Sequence, residues 1–325
     1  MSVRNAPLVR DAATGRRVTR WWVAYLVVFV GAVFVVQFGV LGALGQAWKV
    51  SAGSPAAQVQ EAIACAVSIL VVFAWVGWYE RRHVRTVGFR RPGRGVLLLL
   101  TGILVGLAMI SLPILFLWAT GAYERVDAPA ASGSGGGWAA LPLVLALVVL
   151  FVFQGGQEEV LTRGFLLQNS GLQLPGWVAI GLPAFIFTVL HGVLSLPLAF
   201  VTILLYAVFA SFVALQQGSL WLIGGIHAGW NWALGNVWGI PVSGLAPKDE
   251  SLVYLRPTEG APDWLTGGTF GTEGSLPAVV MIVAATAVAF VLYRRRARTW
   301  ADDAEPAAPA PTPPAAESPS SAAVD

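Results

Sequence analysis

The sequence predicts an all-α fold, a polytopic membrane bundle of about eight transmembrane helices. Three observations carry that expectation. Hydrophobic residues make up 56% of the chain and charged residues only 11%, against about a quarter charged in soluble domains. The mean hydropathy is +0.70. Eight apolar segments approach the roughly 20 residues that a helix needs to cross a bilayer.

In chain order the segments are residues 22–45, 58–79, 96–119, 138–170, 175–195, 198–216, 219–239 and 276–293. Each reads as a helix, because an open sheet would leave backbone groups unsatisfied in lipid. Residues 1–21 form a basic cytoplasmic N-terminus. The first segment follows Arg16-Arg17 but exceeds the roughly 7–15 residues of a signal-peptide core, so it reads as an uncleaved span. The second carries Cys65, the only cysteine, which rules out a disulfide framework and reads as a packed thiol. Together with the third, these spans fill residues 22–137, which end in a Gly/Ser-rich external loop at 127–137. The fourth is long and holds Glu158-Glu159, so part of it must face protein or water. Spans four to seven make a candidate catalytic core, residues 138–240. A Gly/Pro-rich extracytoplasmic loop follows at 241–275, then the last span with its basic stop at 276–298 and a disordered Ala/Pro tail at 299–325. No internal repeat is visible, which weighs against an inverted-repeat transporter.

The arginines set the orientation. Five precede span one (Arg4, Arg10, Arg16, Arg17, Arg20), six lie between spans two and three (Arg81, Arg82, Arg85, Arg90, Arg91, Arg94) and four follow span eight (Arg294, Arg295, Arg296, Arg298). With eight spans all of these fall on one side, and the other side receives only Lys49, Arg125, Lys248 and Arg256. The positive-inside rule then places both termini in the cytoplasm of a multi-pass cell-membrane protein. The net charge of +3 is grouped beside apolar segments and does not suggest a nucleic-acid partner.

Titratable groups inside the spans are few. The charged residues and histidines among them are Glu61, the Glu158-Glu159 pair, Arg163, His191 and His227. Such groups cost several kcal/mol each in hydrocarbon unless paired or hydrated, and are functional candidates by default. Glu158 and His191 lie about 21 and 24 Å from the turn near Leu172–Pro175, at similar depths on antiparallel neighbours. His227 and Asn231 share one helical face, with His227 roughly 12 Å from the Gln216–Ser219 turn. A site in the cytoplasmic half is expected. Gly155, Gly156, Gly224, Gly225 and Gly229 suit close helix approach. Trp221, Trp230, Trp232 and Trp238 read as packing or interfacial anchors.

Glu159 and Arg163 are spaced i,i+4 with the acid first, the better order for an ion pair. Glu158 lacks that partner and suits a general base. A water held between Glu158 and His191 would attack a carbonyl, while His227 and Asn231 donate to the oxyanion. The same residues allow a second chemistry, in which Glu158, His191 and His227 ligate a divalent metal such as zinc. No His-Glu-x-x-His motif is present, and spacing does not separate the two versions.

Glu158-Glu159-x-x-x-Arg163, Phe187-x-x-x-His191 and His227-x-x-x-Asn231 resemble the three motifs of the CPBP family, the CAAX-protease and bacteriocin-processing (Abi) intramembrane peptidases. Arg163-Gly164-Phe165-Leu166 and Gly218-Ser219-Leu220-Trp221 extend the resemblance, which covers about residues 138–240. It implies a helical membrane endopeptidase with its site on the cytosolic side. Glu158 and His191 would activate water, His227 and Asn231 would hold the oxyanion, and Phe187 would line the substrate pocket. It leaves the metallopeptidase and glutamate mechanisms both open. The implied partners are a peptide or membrane-protein substrate and the lipid bilayer. The rival reading is a transporter or immunity-type protein that binds a peptide without cutting it.

Overall fold

The computed structural model describes residues 3–302. All eight expected segments are helices. They are α1 (Trp21–Ala47), α2 (Pro55–Glu80), α3 (Pro92–Ala119), α4 (Gly137–Gln173), α5 (Gly176–Leu190), α6 (Pro197–Gln217), α7 (Trp221–Trp232, continued by a π turn at Ala233–Val237) and α8 (Leu276–Asp302). Among the described residues, six helices are long and apolar enough to cross a membrane, with α5 a shorter apolar one. The chain is a multi-pass membrane protein.

Three boundaries differ from the expectation. Helix α5 stops at Leu190 rather than near 195, and His191 is its C-cap. Helix α8 continues past Arg298 to Asp302, because nothing in that run breaks a helix; residues 303–325, the rest of the expected tail, lie outside the described residues. The loop at 127–137 is tied down. Ser132, Ser134 and the Gly133 N–H, the last at 2.6 Å, all donate to the Glu250 carboxylate. Nearby, β1 (Tyr123–Arg125) pairs antiparallel with β2 (Leu255–Pro257). A two-stranded ribbon is permissible here because it lies in loops, where its outer edges meet water.

Hydrogen bonds between loops define the two ends of the bundle. At one, the arginine end, Arg82 bonds Glu80 at 2.5 Å, Thr86 at 2.8 Å and Gln168 at 2.9 Å. Gln168 also donates to the carbonyls of Leu8 and Thr86. Trp300 and Tyr293 of α8 pack there with Val3, Ala6 and Val9. At the other, the loop end, Asp249 N–H reaches the Gly53 carbonyl and Glu250 holds the 132–134 segment.

Helix α7 is clamped by α3. A Cβ on Gly106 would lie 2.1 Å from the Ile226 carbonyl oxygen, and one on Gly229 would lie 2.1 Å from that of Ile103. Gly102 and Gly225 meet in the same reciprocal way. These paired small-x-x-x-small surfaces let two backbones touch, as membrane helices without a solvent-driven core require. Gly224 and Gly156, by contrast, have nothing within 4 Å of a built Cβ.

Candidate functional site

Helix periodicity sends the two acids in different directions. Glu159 is 1% exposed and points at α7, while Glu158 turns toward a cavity of about 320 Å³. The expected i,i+4 pair forms, with Arg163 Nη1 3.0 Å from Glu159 Oε1. Arg163 also donates to Thr162 Oγ1 at 2.9 Å and to the Ala207 carbonyl at 2.9 Å. Its guanidinium lies 5.2 Å from the centre of the Phe187 ring. Every strong contact of this buried cation is therefore satisfied, which is the condition for burying it.

His227 bridges the two acids. Its Nδ1 is 2.8 Å from Glu159 Oε1, and its Nε2 is 3.6 Å from Glu158 Oε2. Gly155 permits this approach: a Cβ there would stand 3.1 Å from His227 Cβ. Tyr206 of α6 packs edge-on to the imidazole at 5.0 Å between centroids. Asn231 Nδ2 donates to Gln154 Oε1 at 2.8 Å, and Gln154 Nε2 donates to Glu158 Oε1 at 3.1 Å. A chain of side chains thus runs from Asn231 to Glu158, leaving Glu158 Oε2 without a hydrogen-bond partner in the protein.

His191 lines the same cavity from the end of α5. Its Nδ1 is 2.7 Å from the Phe187 carbonyl oxygen, and the two rings lie 4.4 Å apart. Nδ1 carries the proton in that bond, so Nε2 is the nitrogen left for other partners. Phe187 lines the cavity too. All seven residues singled out from the sequence therefore converge, six of them on the cavity wall or in direct contact with it and Arg163 one layer behind.

The zinc set does not assemble. Among the described residues no group of three His, Cys, Asp or Glu side chains is placed to share a metal ion. The nitrogens of His227 face carboxylates rather than a common point with His191.

The loop between α7 and α8 contributes to the cavity. Val242, Ser243, Leu245 and Glu273 of the 240–275 loop complete the wall. Leu190 and Leu245 on its rim are exposed, whereas Leu161, Thr162 and Tyr206 toward the arginine end are buried. The exposed rim of the cavity therefore faces the loop end. Helix α5 is 15 residues long, so its C-cap His191 lies about 22 Å from the α4–α5 turn.

Four contributors are not evident from the motifs. Gln154 sits one turn before Glu158, an i,i+4 signal that was available. Glu61 lines the cavity from α2 and lies 3.8 Å from Lys248 Nζ. Tyr206 offers no spacing signal. Glu273 is 3% exposed and accepts from Trp230 Nε1 at 2.9 Å and from Ser243 N–H at 2.6 Å, strapping the loop to α7. Burial pushes the Glu273 carboxyl above its usual range, against the pull of those bonds.

Residues 140–233 match the family model described as Type II CAAX prenyl endopeptidase Rce1-like. No curated protein and no solved structure matches the chain. The matched segment runs from the start of α4 into α7 and contains Glu158, Glu159, Arg163, Phe187, His191, His227 and Asn231. Over that segment the chain is similar to the CAAX-protease (CPBP) family of intramembrane proteases.

Proposed function

We propose that the chain hydrolyses a peptide bond of a membrane-associated protein or peptide by a glutamate-activated water, with both termini in the cytoplasm. The observation that carries this is Glu158 on the cavity wall it shares with His191, its Oε2 without a hydrogen-bond partner and 3.6 Å from His227 Nε2. A carboxylate oxygen without a protein partner in a cavity is a ready acceptor for a water proton.

Glu158 takes one proton as the water oxygen bonds to the scissile carbonyl carbon. His191 Nε2 orients that water. The charge on the carbonyl oxygen is met by His227 Nε2–H and the Asn231 amide, as Glu159 fixes the other imidazole nitrogen. When the C–N bond breaks, Glu158 returns its proton to the departing nitrogen, leaving a carboxylate and an amine. Arg163 balances the charge of Glu159. The scattered metal donors favour this version over the zinc one.

Glu158→Gln should lower turnover about 10³-fold with expression unchanged, as loss of a general base does. Comparing the membrane proteomes of cells carrying the wild type and this variant reads it out through uncleaved species. A binder or transporter would keep its phenotype in Glu158→Gln, and that result would end the proposal. Retained activity after chelation checks the metal-free chemistry.

A further inference from the structure

We infer that the protein holds an anionic phospholipid at its arginine end, with the phosphate in a basic hollow and the acyl chains in an apolar cleft between α3 and α8.

The hollow, of about 990 Å³, is walled by Arg85, Arg90, Arg91, Arg94 and Arg296, with Ser219 at the α6–α7 turn. Asp11 answers one of these cations, 2.6 Å from Arg90 Nε. Among the described residues the other four have no carboxylate within ion-pair distance. The backbone adds to the same field. Helices α3 and α7 both begin at the hollow, and neither start is capped by a side chain. Their first-turn N–H groups carry partial positive charge and suit a phosphate. Ser219 is 9% exposed and lines the hollow, and among the described residues its hydroxyl has no hydrogen-bond partner.

The hollow runs into a cleft of about 970 Å³, and Gln216 and Gln217 of α6 line both. Two helices carry the change from charged to apolar along a single face. On α3 the wall passes from Arg94 and Leu98 in the hollow to Val105, Met109 and Leu112 in the cleft. On α8 it passes from Arg296 to Leu292, Val288 and Ala285. Steps of three, four and seven residues keep each set on one side of its helix. Phe209 of α6 and Ile226 of α7 are buried and form the floor, while Val105, Leu112, Val288 and Leu292 are exposed.

The lengths agree with one leaflet. Arg94 to Val105 and Arg296 to Ala285 each rise about 16 Å, close to half of a ~30 Å hydrocarbon core. A free phosphate would fill the hollow and leave the cleft empty. A neutral lipid or an apolar helix would fill the cleft and leave four cations unanswered. A phosphodiester with acyl chains meets both in one molecule, and basic pockets between membrane helices are suited to such headgroups.

Thermal unfolding of the purified full chain in detergent micelles, followed against added lipid, reads the affinity. Phosphatidylglycerol should bind at least tenfold more tightly than phosphatidylcholine of the same chains. Arg94→Gln with Arg296→Gln should weaken phosphatidylglycerol roughly 25-fold, about fivefold for each arginine. Arg4→Gln with Arg295→Gln removes the same charge from exposed positions outside the hollow and should leave binding unchanged. Val105→Trp with Val288→Trp, which fills the cleft, should weaken phosphatidylglycerol with the hollow intact. Equal affinity for the two lipids, equal loss in the two arginine pairs, or full binding in the tryptophan pair overturns the proposal. Inorganic phosphate at constant ionic strength should leave the midpoint where it is; a rise matching that from phosphatidylglycerol assigns the hollow to a free anion and overturns the lipid.

Discussion

Helices α7 and α1 face the same cavity from opposite sides and are held in opposite ways. Every residue of α7 from Ile223 to Asn236 is buried, and its glycines touch the α3 backbone. In α1 only Ala24, Val28 and Ala32 are buried. Two of the proposed site residues, His227 and Asn231, sit on the tightly packed wall, as a preorganised site needs. The residues that the looser wall turns to the cavity, Val28, Phe29, Val33 and Gln37, carry no titratable group. Fixed reactive groups opposite a loosely packed helix give a site in which access and geometry are separately adjustable.

The largest effect should come from breaking the fixed wall's charge arrangement. Glu159→Ala leaves Arg163 buried without its carboxylate, at a cost of about 3–5 kcal/mol. It also frees the His227 ring, so thermal unfolding and turnover should both fall. Next, Gly229→Ala should cost about 1–3 kcal/mol by forcing α3 and α7 apart. Gly156→Ala, with open space around it, should be neutral or slightly stabilising in the same unfolding assay.

Two loop carboxylates then sharpen the comparison by pH. Burial alone would raise Glu250, but hydrogen bonds from Ser134, Gly133 and Ser132 hold it below the usual range. Its stabilising contribution is present above the unfolded value and is lost as pH falls through the folded one. Glu273 is raised, so its carboxyl favours the fold when protonated, and that contribution is lost as pH rises through its folded value. Thermal midpoints against pH should therefore change slope in opposite senses for Glu250→Gln and Glu273→Gln. The smallest effect belongs to the yielding wall. Phe34→Ala, on the lipid face of α1, should change stability by less than about 0.5 kcal/mol.

The eight helices were legible because hydropathy and backbone satisfaction in lipid leave few alternatives. The Glu159–Arg163 pair was legible because one helical turn fixes it. The convergence of His191 and His227 on the acids came from motif resemblance, since spacing alone cannot align separate helices. Depth in the bilayer was not legible, because counting residues from a turn ignores where that turn sits. The Glu273–Trp230 strap had no local signature at all: its partners are 43 residues apart and meet only through the folded loop.

The brevity of α5 has a consequence for the lipid. At about 22 Å it cannot match a hydrocarbon slab of ~30 Å. The bilayer beside it must thin, or headgroups must sink toward His191. A neighbouring helix entering that dimple would find its own terminal turns suddenly hydrated, and hydrated turns unwind. This short helix would thus prepare a strand from a helix, the conformation in which a backbone can be attacked.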